Sequence, residues 1–292
     1  MKIFTLILLV MLPVHTFAMP DDTGCSRSWA GVPRPFISEE RTMYLSAAKM
    51  WLLGGEGEVS VEDFIHGTFK IYDTGTKEEL NAVYFPDDRI GFVVGLNGTI
   101  AKSEDGGITW KKQKSGTMQT LRSIYCIDTL NCWISGNEGT ILKTSNGGRT
   151  WNSSKIDTEE KMKAIRFIDA NMGFVIGDDE IVYKTVDGGA AWEAKKIPFR
   201  DDGSKDHYSL RNLAVRDANT YCISTVGVVA CTKDDGKNWR IEYFEDNVGR
   251  DFVGISVSSD IFYLIGKCGD HEDAVMDGAF GIWKTKSEKA NR

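Results

Sequence analysis

Few side chains in this sequence are of the kinds that do acid–base, nucleophilic or metal chemistry at a recognisable spacing. Beyond residue 18 the histidines are His66, His207 and His271, and none stands in an HExxH or similar metal-binding spacing. No nucleophile-elbow sequence marks an activated serine. Carboxylates gather in two stretches, Asp201, Asp202 and Asp206, then Asp270, Glu272 and Asp273. Such groups can ligate Ca²⁺, but neither stretch has the ligand spacing of an EF-hand loop. No catalytic residue, metal or cofactor is therefore assigned. What does recur is a turn. Asp105, Asn146, Asp187 and Asp234 are followed by Gly107, Gly148, Gly189 and Gly236, and then by Trp110, Trp151, Trp192 and Trp239. A short acceptor side chain can bind backbone N–H groups of its own turn, and glycine reaches angles closed to a residue with a Cβ. The indole then buries a large apolar area, here expected between neighbouring units. Asn146 keeps the acceptor and loses the charge, which suits a structural role.

The elements that must position these turns are strands. The four tryptophans recur at intervals of 41, 41 and 47 residues. Ahead of the second lie LRSIYCI from Leu121, CWISG from Cys132 and TILK from Thr140; ahead of the third lie MKAIRFI from Met162, GFVIG from Gly173 and IVYK from Ile181. Each run is rich in β-branched and aromatic residues, bounded by Gly, Asn or Asp, and too short for a helix. A further strand begins at each Trp. Four strands per unit at a period near 40 is the sequence form of a propeller blade. Degenerate copies flank the four: MWLLGGEGEVSV from Met50 with TFKIY from Thr68, and later FVGISV, IFYLIG and FGIWKT from Phe252, Ile261 and Phe280. The last copy lacks its fourth strand, and SWAGVPRPF from Ser28 is a strand without a unit. Circular closure by that N-terminal strand leaves no open sheet edge. The expected fold is an all-β propeller of six four-stranded antiparallel blades, or seven if a poorly matching one is counted.

The pattern Ser/Thr-x-Asp-x-Gly-x-Thr-Trp resembles the Asp box of bacterial neuraminidase repeats. The longer runs GLNGTIAKSEDGGITW from Gly95 and GNEGTILKTSNGGRTW from Gly136 look like the photosystem II stability/assembly-factor family of propellers. The resemblance covers about residues 80–240 and is specific for fold, not for activity. Sialidases of this repeat class need an arginine triad, a Tyr–Glu pair, an acid and an early Phe/Tyr-Arg-Ile-Pro motif. Arg34 in VPRPF and Arg200 in PFRDD do not match that motif, so no such residue is carried over.

The remaining signals concern where the chain works and what it meets. A net charge of −7 over 292 residues opposes nucleic acid and anionic lipid surfaces. Met1-Lys2, the apolar run Ile3 to Val14 and a break after Ala18 read as a cleaved signal peptide, leaving residues 19–292 as one domain in the periplasm or outside the cell. No later run is long enough to span a membrane. Six cysteines in an exported chain suggest disulfides. Cys126 with Cys132, and Cys222 with Cys231, flank hairpins in register; Cys25 with Cys268 is an even choice between a bond and none. Two loops break the repeat length, 198–208 and 267–278, and strand alternation puts both on the face opposite the Asp boxes. Arg200, His207, Tyr208, His271 and Asp273 are the expected partner contacts there, with solvated loops the plain alternative. The leading expectation is a non-catalytic exported propeller that binds a protein partner in the cell envelope during assembly or stabilisation. The alternatives are a carbohydrate-binding or glycosidase-like propeller and a secreted inhibitor or immunity-type protein.

Overall fold

The computed structural model describes residues 43–45, 49–63, 65–178, 180–199, 209–225, 228–243, 252–258, 261–268 and 279–284. The expected signal segment, the strand from Ser28, Cys25 and the contacts Arg200, His207, Tyr208, His271 and Asp273 lie outside the described residues. The final three strands, which include Cys268, are described by their backbone.

The fold is all-β. The first sheet holds β1 (Met43–Leu45), β2 (Lys49–Leu53), β3 (Glu58–Asp63) and β4 (Thr68–Asp73). The second holds β5 (Leu80–Tyr84), β6 (Gly91–Gly95), β7 (Ile100–Ser103) and β8 (Lys111–Gln113). The third holds β9 (Leu121–Cys126), β10 (Cys132–Gly136), β11 (Thr140–Thr144) and β12 (Asn152–Lys155). The fourth holds β13 (Ala164–Phe167), β14 (Gly173–Ile176), β15 (Ile181–Thr185) and β16 (Glu193–Lys196). The fifth holds β17 (Asn212–Val215), β18 (Tyr221–Ser224), β19 (Val228–Thr232) and β20 (Arg240–Tyr243). A three-stranded sheet follows, with β21 (Phe252–Ser258), β22 (Ile261–Cys268) and β23 (Ala279–Lys284). Strands pair antiparallel with their neighbours in sequence, as hairpins dictate. The chain divides into two compact units, with the boundary between Lys195 and Lys196 at the end of β16.

In the first unit, β1, β5, β9 and β13 lie side by side as the inner edges of four sheets. Composition grades outward from them. The second strands β6, β10 and β14 are buried on both faces, whereas the outer strands β8, β12 and β16 read KKQ, NSSK and EAKK. Because side chains alternate along a strand, each second strand feeds two seams. Phe92 and Val94 join Leu121, Ile124 and Ile134 in the seam with the third sheet, while Val93 joins Trp51 and Phe85 in the seam with the first.

Trp51, Phe92, Trp133 and Phe174 stand 41 residues apart at the same place in successive second strands, and the first three fill the seams between the four sheets of this unit. Trp51 stacks on Phe85 of the next sheet at 4.2 Å between centroids, and Trp133 stacks on Phe167 at 3.8 Å. Trp133 Nε1 also donates to Gly188 O of that next sheet at 3.0 Å, so its polar edge is satisfied while its faces are buried. The turn tryptophans do less of this work than their number suggests. All four are half-buried, and Trp110, Trp192 and Trp239 pack edge-to-face on rings of their own sheets, Phe85, Phe167 and Tyr221. Trp151 alone among them meets a ring of the preceding sheet, Phe92.

The exception has a cause in the first hairpin of each sheet. Phe167 pairs with Gly173 across the β13–β14 hairpin, and a Cβ on that glycine would run into the Phe167 ring. Phe85 lies over Gly91 in the same way. At this register the third sheet has Cys126 paired with Cys132, bonded to each other with Cα atoms 4.0 Å apart and both buried. The fifth sheet reverses the sizes, with Val215 on the first strand and Tyr221 on the second. A cystine thus fills a slot that elsewhere holds an aromatic ring over glycine. A second disulfide, Cys222–Cys231, ties β18 to β19 at the register that pairs those residues.

Removing both sulfurs with Cys126→Ala/Cys132→Ala should cost about 2–3 kcal/mol in urea unfolding. Cys126→Phe/Cys132→Gly should recover most of that loss and make the stability of this sheet indifferent to reductant. A refilled variant no more stable than the double alanine would show that the covalent link, and not the filled slot, is what matters.

Candidate functional site

The Asp boxes lie between the third and fourth strands of their sheets. In each, a hydroxyl opens the turn: Ser103, Thr144, Thr185 and Thr232 donate to the Oδ1 of Asp105, Asn146, Asp187 and Asp234 at 2.8–3.0 Å. The same hydroxyls accept the N–H of Gly107, Gly148, Gly189 and Gly236 at 2.8–2.9 Å. Oδ1 then takes the N–H four residues on, from Thr109, Thr150, Ala191 and Asn238. Gly107 has φ 93, and a Cβ there would sit 3.0 Å from Trp51 Nε1, so both conformation and space require glycine. The sequence reading gave no role to the hydroxyl, although every box begins with Ser or Thr. It also passed over a second aspartate per repeat. Asp87, Asp128, Asp169 and Asp217 accept backbone N–H groups of the first hairpin at 2.7–2.9 Å. The two turns are joined: Gly106, Gly147, Gly188 and Asp235 donate their N–H to Arg89, Leu130, Asn171 and Asn219. These carboxylates are occupied by their own turns, which is structural chemistry.

The inner strands carry a different arrangement. Tyr84, Tyr125 and Arg166 occupy one register position in β5, β9 and β13, at the 41-residue interval. Tyr44 of β1 leads the row. Ring centroids lie 5.0 Å apart for Tyr44–Tyr84 and 5.1 Å for Tyr84–Tyr125, and the Arg166 guanidinium sits 5.4 Å from the Tyr125 centroid. All four side chains are half-buried. Burial pushes the phenols of Tyr44 and Tyr84 up from their ordinary value, so they remain neutral. Tyr44 Oη donates to Phe85 O at 2.6 Å, and Arg166 Nη1 donates to Ile165 O at 2.8 Å. At the start of the inner strands Asn81 donates to Leu121 O, Arg122 to Asn137, and Lys163 pairs with Asp178. Aromatic faces beside a partly shielded guanidinium suit recognition of a polypeptide segment and hold no nucleophile–base pair. The sequence reading missed this row; the 41-residue interval relates Tyr84, Tyr125 and Arg166, but the side of the strand they share is not given by the interval.

On the face away from the Asp boxes, the β4–β5, β6–β7 and β8–β9 loops enclose an open groove of about 970 Å³. Second-to-third-strand and sheet-to-sheet connections therefore share a face, as strand alternation requires. Among the described residues no helix is long and apolar enough to cross a membrane.

Residues 61–158 and 149–249 match the family model of the photosynthesis system II assembly factor YCF48. The chain belongs to that family. No curated protein matches its sequence. Solved structures of similar fold include a YCF48 bound to a D1 peptide, at 21% identity and TM-score 0.50, covering 65% of this chain and 61% of that one. YCF48 from Cyanidioschyzon merolae is 17% identical with TM-score 0.58, covering 80% and 78%. A GH74 enzyme from Niastella koreensis is 16% identical with TM-score 0.59, covering 82% of this chain and 43% of its own. The YCF48 family model reaches from β3 through β20, so it takes in all four Asp boxes and the inner-row residues Tyr84, Tyr125 and Arg166.

Box aspartates are held below the usual carboxylate value, by the Ala191 N–H and the Thr185 hydroxyl at Asp187, and by the Asn238 side chain and backbone at Asp234. A depressed folded value contributes stability that is present above the unfolded value and lost as pH falls through the folded one. The melting temperature should therefore drop as pH falls below about 4. A D105N/D187N/D234N variant should fold, as the Asn146 box does, but with a somewhat lower melting temperature at pH 7 and a flattened acid limb. Asp105→Ala, which strands the donors of Ser103, Ile108 and Thr109, should lower the neutral melting temperature by about 2–4 °C.

Proposed function

We propose that this chain is an exported, non-catalytic propeller that holds a segment of a protein partner against its inner strands while an envelope complex is assembled or stabilised. The observation that carries the reading is the row Tyr44, Tyr84, Tyr125 and Arg166, aromatic faces ending in a guanidinium on adjacent inner edges. Membership of the YCF48 family supports it. A solved YCF48 is bound to a D1 peptide, so a propeller of this family takes a peptide. The partner here is read as a protein of the cell envelope, because the sequence opens as a signal peptide does and cystines stand in two sheets. Six blades, the last completed by the strand from Ser28, are the architecture that leaves no sheet edge open. Likeness to a GH74 enzyme at 16% identity is a likeness of fold, and the sialidase motif is missing from the sequence.

The test is capture from an envelope extract by the purified protein, with Tyr125→Ala/Arg166→Ala as the paired variant. The wild type should retain a defined partner and the variant should lose at least about tenfold in affinity, given about 1–2 kcal/mol for each aromatic or guanidinium contact. Both side chains pack on their neighbours, so the variant's melting curve is read alongside to show that it is folded at the assay temperature. Equal capture by both forms would exclude the inner row. Binding on a glycan array instead would move the assignment to the carbohydrate reading.

A further inference from the structure

The groove on the loop face has a charge that the rest of the chain does not. The chain's net charge is −7, yet Lys77, Lys112 and Lys114 line this groove and no described acidic side chain pairs with any of them. The lining carboxylate Glu78 is engaged by Asn97 Nδ2 at 2.8 Å. One wall is β8, the last strand in its sheet, bonded to β7 along one edge only. Its other edge keeps a row of backbone donors and acceptors free for a further strand. Gln113 turns toward the third sheet, where its Oε1 accepts Trp151 Nε1 at 3.2 Å. By strand alternation Lys112 stands on the opposite side, and Lys114 follows just past the end of β8, two residues on. Met118, 76% exposed, offers an apolar contact at the end of the β8–β9 loop.

We propose that this groove binds an extended acidic peptide segment, laid along β8 with carboxylates at alternate positions facing Lys112 and Lys114 and a further one reaching Lys77. Strand addition supplies main-chain hydrogen bonds, and the matched two-residue period of the charges supplies the selectivity. Among the described residues no aromatic side chain lines the groove, which gives stacking bases no platform there. The site is separate from the inner row, and either can exist without the other.

The probe is a short fluorescein-labelled peptide of alternating Glu and Thr, with a Gln-for-Glu counterpart, read by fluorescence anisotropy on the full chain at low ionic strength. The acidic peptide should bind, weaken as salt is raised, and weaken about tenfold on Lys77→Glu/Lys112→Glu/Lys114→Glu. All three lysines are exposed, so the variant should fold, which its melting curve checks. Tyr125→Ala/Arg166→Ala should leave this binding unchanged. Equal binding of the Gln peptide, an unaffected lysine variant, or loss only in the inner-row variant would each overturn the proposal. So would a sulfated oligosaccharide that displaces the peptide with higher affinity.

Discussion

The structure of this chain depends on one interaction, a flat ring from the second strand of one sheet set into the seam with the next. A four-stranded antiparallel sheet cannot bury both faces by itself, and an isolated one is marginal in water. In the first four sheets the second strand carries a large ring on one side and an aliphatic residue on the other, so a sheet can be both a wedge and a slot. Full burial of such a ring is worth several times the free energy of any surface ion pair. Edge polarity is met at one indole and not at the other: Trp133 reaches a carbonyl of the neighbouring box, whereas the buried Nε1 of Trp51 has no hydrogen-bond partner among the described residues.

The Asp boxes serve this packing from outside. Their glycines leave room for the incoming ring, and their acceptors satisfy the backbone of a turn that would otherwise expose several N–H groups. The boxes bond to the first hairpin of the same sheet, so two turns brace one another and fix where the first-strand ring lies. Because the acceptor works through hydrogen bonds, Asn146 substitutes for an aspartate by donating from Nδ2 to Thr150 Oγ1, where Asp105 accepts from Thr109. Charge strengthens the latch at neutral pH, but the turn's geometry does not require it.

Much of this was legible in the sequence. A 41-residue interval that aligns strands, turns and tryptophans without gaps leaves little freedom in strand number and order. Register was legible too, since Cys126 opposite Cys132 and Cys222 opposite Cys231 follow from hairpin length. What periodicity does not carry is direction. Trp110 and Trp133 are both tryptophans of a repeat, but only the second is fully buried, because it sits on a central strand and the first sits at the edge. The interchange of Phe–Gly, Cys–Cys and Val–Tyr at one slot is invisible to a comparison of residue types, since what recurs is a filled position and not a side chain. The inner row was hidden for a related reason. Tyr125 and Arg166 differ chemically, and it takes adjacency of β9 and β13 to place a guanidinium over a phenol ring.

The seam account is tested most directly by a double-mutant cycle on Trp133 and Phe167, with each changed singly and together to Leu and stability read from urea unfolding. Stacked rings at 3.8 Å predict a coupling of about 1 kcal/mol beyond the separate losses of buried area. Strictly additive losses would mean that the two residues stabilise their own sheets independently, and the ring-in-seam principle would fail.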